Sequence, residues 1–124
     1  MSILKRLFGK RSSAEKSDAP PEEPQQAVLV HLDGTGLPDH IYRECDLATI
    51  EDQLIEVIAR NKLGEFDGNE VGPSETTLFM YGPDAEQLFA VVEPILRGYP
   101  LCQGARVEIR HGGPGAQTRE VRLF

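Results

Sequence analysis

The chain has 124 residues, with 13 Lys plus Arg against 20 Asp plus Glu, a net charge of -7 and 40% hydrophobic residues. That length suits one domain with its own core, and no apolar run approaches the roughly 18 residues of a helical membrane span. The start has no apolar stretch followed by a small-residue cleavage site, so a secretory signal is not expected.

Charge is unevenly spread. Residues 1–11 carry four basic residues and no acidic one, 27–104 carry four basic and fourteen acidic, and 105–124 carry four arginines against two glutamates. An acidic body repels a phosphate backbone, so a nucleic-acid partner is not expected. The two cysteines, Cys45 and Cys102, form neither a disulfide framework nor a zinc motif, which suits a reducing cytoplasm.

In chain order, MSILKRLFGKR reads as a basic amphipathic segment. Ile3, Leu4, Leu7 and Phe8 fall at helical spacing, with Lys5, Arg6, Lys10 and Arg11 interleaved. Four such charges near an anionic leaflet contribute about 4 kcal/mol, only about millimolar binding, so anchoring there requires the apolar side chains to insert. Residues 12–26 are rich in Ser, Pro and Glu and read as a linker without a core of its own. The folded domain is then 27–124.

AVLVHL, 27–32, predicts a first strand that ends in the turn Asp33-Gly34-Thr35-Gly36. IYREC, 41–45, reads as a short extra strand. Asp46 or Thr49 can cap the helix that follows, with Leu47, Ile50, Leu54, Val57 and Ile58 as its stripe and Lys62 and Gly64 at its end. Two strands at 65–71 and 75–81 are joined by Gly72-Pro73-Ser74, and Gly68 marks a bulge or kink in the first. Pro83 is placed in the first turn of a second helix. Its stripe is Leu88, Val91, Val92, Ile95 and Leu96, with a kink expected at Pro94. ARVEIRH, 105–111, alternates with Val107 and Ile109 inward, and REVRLF, 119–124, returns after a Gly/Pro turn with Val121 and Leu123 inward.

The resulting β-α-β-β-α-β order, plus a final strand, predicts an α+β, ferredoxin-like sandwich with strand order 4-1-3-2 and the extra strand outside the fourth. From Val28 to Leu123 the chain also resembles a family of small, functionally uncharacterised bacterial proteins, through LVHLDGTGLP, GEFDGNE, LFMYGPDAEQLF and VEPILRGYPL. That resemblance implies a bacterial cytoplasmic setting and carries over no catalytic residue.

Three clusters could carry chemistry. Glu65, Asp67 and Glu70 crowd GEFDGNE, where a bulge at Gly68 would bring Glu70 to the face of Glu65 and Asp67. Such carboxylates suit a divalent cation, or serve as charges that protect a sheet edge. His31 and Asp33 share the strand face opposite Val28, Val30 and Leu32, which places them on the open side of the sheet near Glu108, without an accompanying nucleophile motif. The same open side takes Leu29 and one alternating set of the third strand, either Leu78 and Met80 or Phe79 and Tyr81. An apolar patch there would favour a protein partner or a homodimer. Arg106, Arg110, Arg119 and Arg122 are expected to pair across strands with Glu108 and Glu120.

No P-loop, nucleophile elbow or zinc signature is present, and HGGPG at 111–115 joins strands rather than opening a helix. The expected function is therefore a non-enzymatic interaction or regulatory module without a cofactor. The alternatives are a small-ligand or divalent-metal sensor, and an adaptor tethered to the inner membrane through residues 1–11.

Overall fold

The protein is described by a computed structural model over residues 25–123. The basic amphipathic segment (Ile3, Leu4, Lys5, Arg6, Leu7, Phe8, Lys10 and Arg11) and residues 12–24 of the linker lie outside the described residues. Gln26, assigned above to the linker, belongs to the first strand, where its side-chain oxygen accepts from the Ala85 N–H at 2.8 Å.

The elements are β1 (Gln26–Asp33), α1 (Asp39–Glu44), α2 (Leu47–Asn61), β2 (Glu65–Val71), β3 (Glu75–Gly82), α3 (Ala85–Gly98), a 3-10 turn at Pro100–Cys102, β4 (Arg106–Arg110) and β5 (Thr118–Arg122). The class is α+β, with one five-stranded, antiparallel sheet ordered β2-β3-β1-β4-β5. Read from the other edge the first four strands run 4-1-3-2, and β5 extends the sheet beyond β4.

One face of the sheet holds the core. Val28, Val30, Leu32, Leu78, Met80, Val107 and Ile109 are all buried there, against Ile50, Leu54 and Ile58 of α2 and Leu88, Phe89, Val92 and Leu96 of α3. Alternation in the strands and 3.6-residue spacing in the helices thus meet in one layer. The outcome settles the third strand: Leu78 and Met80 face the helices, so Phe79 and Tyr81 lie on the open side. Among the described residues, no helix is long and apolar enough to cross a membrane.

Three expectations need correction. Residues 41–45 form no strand; Asp39–Glu44 is a helix, because Ile41, Tyr42 and Cys45 then fall on one face and pack against the core edge. Pro83 lies outside α3, whose N-cap is Asp84, with its carboxylate accepting the N–H groups of Glu86 and Gln87. Arg119 does not face Glu108 or Glu120. It shares the helix side of β5 with Val121 and pairs with Glu86 of α3.

α2 starts at Asp46, whose Oδ1 accepts the Thr49 N–H at 3.0 Å, and stops at Lys62 in the left-handed conformation (φ 56°). The exit is tight. A Cβ on Gly82 would stand 2.0 Å from the Leu63 carbonyl oxygen, and Gly64, at φ 141°, closes on the Tyr81 carbonyl in the same way. This crossing sets where β2 begins. The β2–β3 register then shifts between Phe66 and Gly68, with Gly68 at φ 125°.

Candidate functional site on the open sheet face

The helices cover one side of the sheet, and the other side presents three rows of side chains fixed by strand register. Glu70, Thr77, His31, Arg106 and Arg122 form one row; Phe79, Leu29, Glu108 and Glu120 form the next, beside Gly68. Glu65, Tyr81, Ala27, Arg110 and Thr118 form the third. Glu65 stands opposite Tyr81 and Glu70 opposite Thr77, so the bulge does return Glu70 to the face of Glu65. The two carboxylates nevertheless sit four β3 residues apart. Among the described residues, no three His, Cys, Asp or Glu side chains converge as metal ligands do.

The two margins of the face differ. Glu65, Asp67 and Glu70 make the β2 edge acidic, whereas β4 and β5 carry a mixed set, Arg106, Arg110 and Arg122 with Glu108 and Glu120. Leu29, Phe79 and Tyr81 lie between them, each half-buried. Burial pushes the Tyr81 phenol above its ordinary pKa, the Asp67 charge adds to that, and Arg110 opposes it. Tyr81, Arg110, Glu65 and Asp67 wall a shallow hollow of about 510 Å³.

His31 is the best-held polar group on this face, with its side chain 13% exposed. Its Nε2 lies 2.7 Å from Glu108 Oε1, which as a carboxylate oxygen accepts from it. Its Nδ1 lies 3.0 Å from Thr77 Oγ1 and 3.6 Å from Glu75 Oε1. Glu75 continues to Arg106 Nη2 at 3.4 Å, and Glu120 spans Arg106 and Arg122 at 3.9 and 3.8 Å. His31, Glu75, Arg106 and Arg122, with Asp33, line a polar hollow of about 320 Å³.

Asp33 is not joined to His31. Its Oδ1 accepts the N–H groups of Thr35 and Gly36 at 3.0 and 2.8 Å, which hold its carboxyl below the usual range. It closes the turn after β1.

Thr77, His31 and Glu108 do line up as hydroxyl, imidazole and carboxylate, an alignment that sequence reading missed because Thr77 meets His31 only through the β1–β3 register. The three side chains come from β3, β1 and β4 and tie these strands together across the open face.

On the helix side, Leu32, Tyr42, Leu47, Val71 and Leu101 line a more apolar cleft of about 310 Å³, with Cys45 at its wall. Val71, 68% exposed, forms its rim. The Tyr42 hydroxyl donates to the Asp33 carbonyl at 2.8 Å and accepts the Leu37 N–H at 3.1 Å, fixing the connection from β1 to α1. Placing 41–45 in a strand hid this cleft from sequence reasoning. No protein-family model, curated protein or solved structure matches the chain.

Proposed function

We propose that this chain is a non-enzymatic interaction or regulatory module that binds a protein partner on its open sheet face, with the acidic β2 edge as one border. The observation that carries the reading is the arrangement Leu29, Phe79 and Tyr81 between an acidic margin on β2 and a margin of mixed charge on β4 and β5. Half-buried aromatic residues supply apolar contact with little loss of side-chain entropy, and separated charges orient the partner. The fold assignment that accompanies this reading is a ferredoxin-like sandwich extended by β5, in the setting of the bacterial cytoplasm that the resemblance implies. Contact of residues 1–11 with an anionic membrane is a separate proposal, tested by vesicle flotation with and without that segment.

The test is site-specific photocrosslinking in cells of the source organism. A crosslinker at Phe79 should capture one discrete protein, and the paired change Asp67→Lys with Glu70→Lys should abolish that capture without altering the melting temperature. Equal capture from Ile55, exposed on α2, or indifference to the charge reversal would sink the proposal.

The apolar cleft beside Tyr42 supports a second reading, a small-ligand sensor. A ligand selective for the folded state would raise the melting temperature, and Val71→Lys at the rim should remove that shift.

A further inference from the structure

β5 is an edge strand, and its outer backbone groups have no neighbouring strand among the described residues. Which groups these are follows from the loop bonds at its ends. The Leu123 carbonyl accepts the Gly104 N–H at 2.9 Å, the Leu123 N–H donates to the Ala105 carbonyl at 2.9 Å, and the Gln117 carbonyl accepts the His111 N–H at 3.0 Å. Odd-numbered residues thus face β4, and by alternation the N–H and C=O groups of Thr118, Glu120 and Arg122 point outward. The strand TREVR has no proline or bulge to interrupt pairing, and its charges are of both signs, so they can be matched by a neighbouring strand rather than only repel it.

We infer that β5 pairs antiparallel with β5 of a second copy, about a two-fold axis through Val121. In this register Glu120 faces the second copy's Arg122, and Arg122 faces its Glu120. Both residues carry outward backbone groups, so each such pair exchanges two hydrogen bonds. The opposed side chains are also oppositely charged, and both are exposed, at 50% for Glu120 and 61% for Arg122. Val121 meets its own copy on the helix side. Of the competing registers that satisfy the backbone, the one about Glu120 sets Glu120 against Glu120 and the one about Arg119 sets Arg119 against Arg119, both unfavourable. The strand is therefore self-complementary in one register, as a two-fold interface requires. The dimer would join two five-stranded sheets into one, independently of whether the open face binds a protein.

Sedimentation equilibrium of the full chain over a concentration series tests this. The wild type should form a reversible dimer. Glu120→Arg alone and Arg122→Glu alone each set like charges opposite one another and should weaken self-association by about tenfold or more. An equimolar mixture of the two variants should dimerise as the wild type does. In the mixed pair the introduced arginine of one variant faces the introduced glutamate of the other, and the unchanged Arg122 of the first faces the unchanged Glu120 of the second. Glu120→Pro removes the outward N–H without touching the β4 ladder and should also abolish the dimer. A wild type that stays monomeric, a mixture no more associated than its components, or growth beyond a dimer would overturn the inference.

Discussion

Glu86, in the first turn of α3, holds the β4–β5 hairpin to the helix layer. Its Oε1 accepts Arg119 Nη2 at 2.6 Å, and its Oε2 accepts Arg119 Nε at 3.0 Å and His111 Nε2 at 2.7 Å. The bonds from Arg119, then the one from His111, lower its carboxyl from the ordinary value of 4.5 to about 2. At face value that drop corresponds to about 3.4 kcal/mol favouring the ionised form in the fold. The Glu86 side chain is 44% exposed, however, and water and salt screen such a pair, so about 1 kcal/mol is expected to survive. A carboxyl whose pKa falls on folding contributes fully above its unfolded value and loses that contribution as pH drops toward the folded one. Glu86→Gln should therefore be about 1 kcal/mol less stable than wild type at pH 7, about 4–8 °C in Tm for a domain of this size. The gap should narrow as pH falls from 4.5 and close near 2, and it should shrink in high salt. Urea melts of both proteins across this pH range measure it. Equal stability at pH 7, or a gap that persists at the acid end, would refute the reasoning.

Three further outcomes follow from packing and burial. Leu54, fully buried between the helix layer and the sheet, should cost about 3 kcal/mol when cut to alanine, read as a lower urea midpoint with an unchanged slope. Gly82→Ala should cost about 1–3 kcal/mol through its clash with the Leu63 carbonyl, whereas Gly98→Ala, which meets nothing within 4 Å, should be neutral or slightly stabilising by thermal melt. Burial pushes the Cys102 thiol up to about 12, and Cys45 is half-exposed. Alkylation of the native protein at about pH 8 should thus label Cys45 alone, with the second thiol reacting only in denaturant, as mass spectrometry would show.

The core was legible wherever one face was plainly apolar, as in Val28, Val30 and Leu32 or Ile50, Leu54 and Ile58. It was ambiguous in ETTLFMY, where both faces carry large apolar residues and only register against β1 chooses between them. IYREC misled because Ile41 and Tyr42 favour strands, while the spacing of Ile41, Tyr42 and Cys45 equally fits a single helical turn. Phe89 was missed beside a stripe that already looked complete. The side of Arg119 could have been read, since it shares parity with Val121, but its partner Glu86 comes from a different element brought near only by the fold. The same holds for the candidate site: the open position of His31 followed from alternation, whereas Thr77 as its neighbour required the strand order.

The bulge at Gly68 has a consequence for assembly. It interrupts the regular spacing of β2, whose charges Glu65, Asp67 and Glu70 are all acidic, whereas β5 carries both signs, so β5 can match a second copy of itself and β2 cannot. A sheet with two equal borders can add neighbours without limit, which is the route to fibrils. A sheet with one receptive border has a valence of one, and association ends when that valence is filled.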